Sequence, residues 1–332
     1  MVRIDIGRRL RIAAAVSLAA LAAVAGLPSS ALAQSESGPL KIVVGFAPGG
    51  GTDVVARIYA DGLRQLLNTS VVVEIKPCAG GAIAVQGVVK SPSTTPTILF
   101  VIDHQVSILQ HVMKTPGFDP EQDLVPIGRV VTYDMCLAVH SSLPARNVKE
   151  FIDAVKADPK LGSFAVPAPG SNAQFIGHYI GTHFGVKLEP VTYRGAAPAL
   201  SDLVGGQIKT AVMPCDAFRN FTKDGTVRII GIANDKRSER LPGVPTLREY
   251  GLAIPGANSF LGAYAPKWLD PKLVATLVNA TRDMFKLPGF ADRLNDTGQF
   301  ANYAPPEDLA RYAREASVFW AGQVKSSGFA AQ

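Results

Sequence analysis

Residues 43–57 read VVGFAPGGGTDVVAR. A β-branched run passes through three consecutive glycines into a stretch with apolar residues at helical spacing, which reads as a strand turning tightly into a helix. The spacing almost spells a phosphate loop: Gly45, Gly50 and Thr52 stand where G-x-x-x-x-G-K-[ST] needs them, but Gly51 occupies the lysine position. Without that cation, tight polyphosphate binding and Mg2+-assisted transfer are poorly supported. What remains is backbone. The glycines let main-chain N–H groups approach a ligand closely, Thr52 is expected to cap the helix, and a helix start favours anions by about 0.3–1 kcal/mol per interaction. A carboxylate satisfies that geometry as well as a phosphate does, and a plain strand-to-helix turn with no ligand would carry the same letters.

Outward from this unit the alternation continues. Strands are expected at 41–46, 71–75 and 97–102, with helices at 53–67 and 82–89 and a turn into a further helix over 103–110. After the Ser-Ser-Leu-Pro break at 141–144 a second series begins with helix 148–157 and strand 163–166. A helix follows, capped by Ser171 and stopped by Gly185, then strand 188–193, a helix opened by Pro198 at its first position, and strands 209–213 and 227–233. One more extended segment, 256–265, precedes helices at 271–286, 289–296 and 306–326. Strand–helix alternation implies parallel pairing with right-handed crossovers, and two such series imply two α/β lobes, each a mostly parallel sheet flanked by helices. Ligands of open parallel sheets gather outside the carboxyl ends of the strands. The turns at 47–53, 77–81, 102–105, 167–172, 193–197 and 213–216 hold that position and would line one cleft if the lobes face each other.

The chain opens with Arg3, Arg8, Arg9 and Arg11, an apolar run over 12–27, and Ala31-Leu32-Ala33 before Gln34. That pattern is a cleavable secretory signal ending at residue 33; the apolar run is shorter than the ~20 residues of a membrane span and mostly alanine. Its removal leaves about 300 residues, enough for two ordinary domains. The formal charge of the whole chain is +6, and roughly half of it leaves with the signal. No Lys/Arg run is interleaved with aromatics, which excludes the usual pattern of a nucleic-acid groove. Cys78, Cys136 and Cys215 permit one disulfide in any of three pairings, or three buried thiols.

Catalytic patterns are sparse. There is no G-x-S-x-G elbow, and the five histidines include no H-E-x-x-H. No His, Cys or carboxylate cluster supports a metal or other cofactor. His104 lies in a turn aimed at the expected cleft, where a solvent-exposed loop histidine is the ordinary alternative. A hydrolase would need Ser171, His104 and Asp216 to assemble as nucleophile, base and orienting acid, and no motif joins them.

Four stretches taken in order, IVVGFAPGGGTDVVAR (42–57), PCAGG (77–81), VTYRGAAPALSDLVGGQI (191–208) and KRSERLPGVPTLREYG (236–251), resemble the tripartite tricarboxylate transporter solute receptors, also called Bug-type receptors. The similarity runs from about residue 41 to 328, nearly all of the expected mature chain. It implies a two-lobed periplasmic-binding-protein fold, type II-like, with residues 36–138 plus 263–332 in one lobe, 139–262 in the other, and a hinge between them. Such a protein, expected as a periplasmic monomer without cofactor or catalysis, closes over a small mono- or dicarboxylate, aromatic or not, and delivers it to membrane permease subunits.

By position, the family's first ligand loop falls on Phe46, Pro48, Gly49, Gly50, Gly51, Thr52 and Asp53, and its second turn on Ala79 and Gly80. In the other lobe its hydroxyl-rich turn falls on Gly170, Ser171, Asn172 and Gln174, and its Y-[KR]-G turn on Tyr193 and Arg194; His104 and Asp216 complete the expected set. The chain departs from the family at Ala168-Pro169-Gly170, where G-N-G is common, at Gln174 in place of histidine, at Ile75-Lys76 in place of Asn-Arg, and at Met213, where an acid is common. Loss of that acid argues against an amine-bearing ligand, since a buried ammonium needs a counter-charge. A periplasmic hydrolase or a ligand-presenting sensory protein built on the same cleft are the alternative readings.

Overall fold

Strand β1 (Leu40–Val44) is buried on both faces, with Ile42, Val43 and Val44 all at 1% exposure or less, so it must be covered from two sides. Helix α1 (Gly51–Leu67) covers one side with Val55, Ile58, Tyr59 and Leu63 and ends on Asn68 in the left-handed region, φ 47°. Strand β2 (Val71–Ile75), helix α2 (Ala82–Lys90) and strand β3 (Thr97–Ile102) complete a parallel unit in which β1 is central, pairing Leu40 with Val71 and Lys41 with Thr97. The computed structural model describes residues 38–90, 92–254 and 259–331, so the expected signal and the start of the 256–265 segment lie outside the described residues.

Short helices α3 (Asp103–Ser107), α4 (Leu109–Val112) and α5 (Pro120–Asp123) lead to β4 (Leu124–Tyr133), and β4 runs through Asp134 alone into β5 (Met135–His140). The two strands belong to different sheets. The second sheet is completed by α6 (Val148–Ala157), β6 (Ser163–Val166), α7 (Asn172–Phe184), β7 (Glu189–Thr192), α8 (Ala196–Val204), β8 (Thr210–Pro214), α9 (Arg219–Lys223) and β9 (Val227–Ala233). The chain then returns to the first sheet with β10 (Ser259–Pro266), α10 (Pro271–Met284), α11 (Phe290–Asp296), β11 (Phe300–Ala304) and α12 (Pro306–Ser326). Strand order is β11-β4-β10-β3-β1-β2 in the first sheet and β7-β6-β8-β5-β9 in the second.

Each sheet is mixed. The parallel half comes from strand–helix units; β4, β10 and β11 in one sheet and β5 with its neighbours β8 and β9 in the other pair antiparallel. Those antiparallel strands are the ones that carry the chain from one sheet to the other and back. At the changeover the Asn234 amide donates to Asp134 Oδ1 at 2.8 Å, and Cys215 N–H donates to the Asp134 carbonyl at 2.9 Å. Cys136 and Cys215 form a disulfide beside it, and Cys78 is free and exposed.

Two expected helix starts differ. Helix α1 begins at Gly51 with Gly50 as its N-cap, so Thr52 sits inside the first turn and caps nothing. Helix α8 begins at Ala196 after Gly195, which puts Pro198 third; the first four N–H groups of a helix have no intrahelical partner, so proline is tolerated there too. One buried cluster unites the halves: Leu99 and Val101 of the first sheet, Leu137 and Val139 of the second, and Phe175 of α7. Helix α12 seals it with Trp320, 6.5 Å between ring centres from Phe175, while Phe329 meets Phe175 edge-on at 5.7 Å.

Candidate functional site

All six expected turns follow the carboxyl ends of strands, namely β1, β2, β3, β6, β7 and β8. The first two touch: a methyl group on Gly45 would stand 2.6 Å from the Gly81 Cα, so the backbones pack as only glycines allow. Phe46 is half-buried against the first sheet's core, while Pro48 and Gly49 to Gly51 are exposed, with Gly49 at φ 78°. Asp53 is buried and spends its charge locally: Oδ2 accepts the Gly49 N–H at 2.8 Å and Oδ1 pairs with Arg57 Nε at 2.8 Å. The carboxylate therefore shapes the turn, and the N–H groups opening α1 are left without a side-chain acceptor.

That omission recurs at the cleft turns. Helix α7 has Ser171 at its N-cap, yet Ser171 Oγ donates to the Ala168 carbonyl at 2.7 Å instead of capping, while Asn172 Oδ1 accepts the Ala173 N–H at 2.8 Å; α8 starts on Gly195 with no side-chain cap. Elsewhere α5, α6 and α10 are capped by Asp119, Asn147 and Asp270, whereas α11 and α12 also start without a cap side chain. An uncapped N-terminus keeps unpaired N–H donors and a partial positive charge. Gly170, at φ 67°, donates its N–H to Gln174 Oε1 at 2.9 Å, so Gln174 braces the turn. The 193–195 turn is tied to this one by Tyr193 N–H to the Val166 carbonyl at 3.0 Å and Gly195 N–H to the Pro167 carbonyl at 2.8 Å. Tyr193 donates its hydroxyl to Asp202 at 2.7 Å, and partial burial with that carboxylate pushes its pKa up to about 12; Arg194 is exposed.

A buried polar junction joins the two halves behind these turns. Asn172 Nδ2 donates to Ser259 Oγ at 2.9 Å, Ser259 hydrogen-bonds Asp103, and Tyr133 donates to Asp103 Oδ1 at 3.3 Å. Burial pushes the Asp103 carboxyl up to about 6. Next to it, His104 is buried with Nδ1 unpartnered, and burial brings its pKa down to about 4, so it is neutral. Its Nε2 faces the second turn: a methyl group on Gly80 would stand 3.3 Å away, with Ala79 alongside at φ 48°. Of these four junction residues the sequence singles out only Asn172.

Asp216 stands apart from the hydroxyl-rich turn. It lines a cavity of about 500 Å3 between the halves, with Tyr133 and Asp134 at the changeover, Arg219 and Arg240 from the second, and Gly298 and Phe300 from the first. Burial raises the Asp216 carboxyl above its ordinary range. A methyl group on Gly298, at φ 95°, would stand 2.9 Å from Asp216 Cβ, and the adjoining Gln299 side chain reaches Gly51, which connects the cavity to the first turn. Ser171, His104 and Asp216 share no hydrogen bond among the described residues, so the geometry holds no nucleophile–base pair between them. No group of three or more His, Cys, Asp or Glu side chains among the described residues could hold a metal ion.

Two lobes with uncapped, glycine-rich helix starts at the strands' carboxyl ends define a solute-binding protein of the two-lobed kind. Residues 55–328 match the family described as the tripartite tricarboxylate transporter family receptor, and the chain belongs to that family. A Cupriavidus necator protein, the UPF0065 protein in the gbd 5' region, is 30% identical over 308 residues, 92% of each chain. Among solved structures, the periplasmic binding protein BugD is similar with a TM-score of 0.75 and 31% identity, over 89% of this chain and 99% of that one. The Rhodopseudomonas palustris protein Rpa4515 with adipate has a TM-score of 0.79 and 26% identity, over 89% and 99%. MatC from the same organism, with bound malate, has a TM-score of 0.75 and 25% identity, over 86% and 98%. No helix among the described residues is long and apolar enough to cross a membrane.

Proposed function

We propose that this receptor works in the periplasm after loss of residues 1–33, clamps a small mono- or dicarboxylate between its lobes without transforming it, and hands it to the permease subunits of a tripartite tricarboxylate transporter. One observation carries the reading: the start of α1 at Gly51 and Thr52 offers main-chain N–H donors that no cap side chain satisfies, while the Gly49 N–H before them is already held by Asp53. The adipate and malate in two similar structures support a carboxylate as the partner of those donors. Gly170, Ser171, Asn172, Tyr193 and Arg194 close over the ligand from the half built on the second sheet, and the half built on the first sheet supplies the first two turns. The changeover at Asp134 supports a hinge there.

Purified mature protein titrated with adipate, malate, succinate and benzoate tests this. A ligand of the folded form raises the melting temperature with its concentration, by about 2.7 kcal/mol of added stability at a hundredfold excess over Kd. A panel of carboxylates that neither raises Tm nor gives heat in calorimetry would remove the reading, and turnover of a bound acid would replace the receptor by an enzyme.

A further inference from the structure

Gln299 lies between α11 and β11, outside all six turns. Its side chain is 5% exposed, and Oε1 is sealed from solvent without a hydrogen-bond partner. Its Nε2 reaches the start of α1, where a methyl group on Gly51 would stand 2.8 Å from that nitrogen. The Gln299 main chain is gripped from the other half. Arg240 donates through Nη2 to the Gln299 carbonyl at 2.8 Å and to the Asn295 carbonyl at 3.0 Å, and its guanidinium lies 4.4 Å over the Phe300 ring.

An amide buried with an unpaired oxygen destabilises a fold relative to an apolar side chain of the same size. The nitrogen end makes no hydrogen bond among the described residues and stands beside the first residue of α1, whose opening N–H groups have no cap side chain. A carboxylate at the start of α1 would lie within reach of both kinds of donor, the main-chain N–H groups and the neighbouring amide. We propose that Gln299 is a ligand-binding residue, whose Nε2 joins the main-chain N–H groups of Gly51 and Thr52 on one carboxylate, with Arg240 as the positioning residue that holds it there. The assignment rests on the carboxylate reading above and adds to it a side-chain donor from a separate part of the chain. Since Arg240 belongs to the segment packed on the second sheet, the full set of donors is complete only when the two halves are together.

The test compares wild type with Gln299→Leu and Gln299→Glu, reading calorimetric Kd for whichever of adipate, malate, succinate and benzoate bind wild type, and Tm without ligand. Gln299→Leu should weaken binding about tenfold while leaving the ligand-free Tm unchanged or higher, because the orphaned oxygen is gone. Gln299→Glu should weaken it further at pH 7, where its carboxylate opposes the ligand's. Affinity in Gln299→Leu equal to or tighter than wild type overturns the assignment, the tighter result marking Gln299 as a plug. A ligand-free Tm that falls in both variants, with Kd unchanged in the folded fraction, overturns it in favour of a structural peg. Wild type that binds none of the acids overturns the carboxylate reading itself, whereas binding that survives Gln299→Leu overturns only the role given to Gln299.

Discussion

Asn172 Nδ2 donates to Ser259 Oγ at 2.9 Å, and this bond joins the helix that starts off the second sheet to the strand that re-enters the first. Both groups are buried, so losing this bond leaves a polar atom without water to replace its partner. Asn172→Ala leaves Ser259 with Asp103 and Tyr133 only, and should lower unfolding free energy by about 1–3 kcal/mol. Urea denaturation measures it; no change in midpoint would mean that the junction is not a fastening.

Asp103 and His104 titrate against each other. The Asp103 carboxyl is raised to about 6 in the folded chain, so its contribution to stability is full below the unfolded value near 4 and is lost as pH rises to about 6. Burial lowers His104 to about 4, so its contribution has the opposite slope, growing as pH rises from about 4 to its unfolded value near 6.5. The two slopes partly cancel in wild type. Asp103→Asn removes one of them: relative to wild type the variant should gain stability between about pH 4 and 6, by roughly 3 kcal/mol at most, and hold that gain above. A wild-type-minus-variant difference that is flat from pH 4 to 7 would contradict the buried ionisation.

Gly51→Asp places a carboxylate at the first residue of α1. The helix start tolerates it, by about 0.3–1 kcal/mol in favour of folding, and the crowded neighbour is the end of the flexible Gln299 side chain. Affinity for any carboxylate ligand should fall by at least tenfold, about 1.4 kcal/mol, because the introduced charge occupies the donors. Unchanged calorimetric binding would remove the α1 site.

The Cys136–Cys215 bridge spans 79 residues of sequence. Its replacement by two serines should cost about 2–4 kcal/mol of stability. Native protein should take up one equivalent of a thiol reagent, at the exposed Cys78, and mass spectrometry reads the count. Uptake at Cys136 or Cys215 would show the bridge open.

Trp320 is 1% exposed at the centre of the cluster that joins the halves. Trp320→Ala should cost about 3–5 kcal/mol, read by thermal unfolding. Trp320→Phe should cost less, since the indole Nε1 has no partner to lose.

The sequence spells out the parallel half of each sheet and, beyond it, β9 and most of β10. Strands 71–75, 97–102, 163–166 and 227–233 stand in the structure at their expected bounds, because a short β-branched run between turn residues is a local signal. β4 and β5 escape it: Pro126 and Gly128 break the pattern inside β4, and one polar residue separates strands that enter different sheets. β11, FANYA, is too short and too polar to stand out. The same division holds at the site. Turns after parallel strands are legible from topology, whereas Asp103, Tyr133 and Ser259, or Gln299 and Arg240, meet only through the tertiary fold and leave no local trace. Asp53 is the converse case, a charge at the expected place that the turn itself consumes.

The single residue between β4 and β5 has a mechanical meaning. Asp134 is one crossing between the sheets, Asn234 begins the other, and the amide-to-carboxylate bond at 2.8 Å staples the crossings together. Any movement of one sheet relative to the other therefore bears on this staple and on the Asp134–Cys215 main-chain bond next to it, and must carry along or part the Asn172–Ser259 bond and the cluster around Trp320. If the lobes close on a ligand as proposed, the crossing at Asp134 is the axle on which they turn.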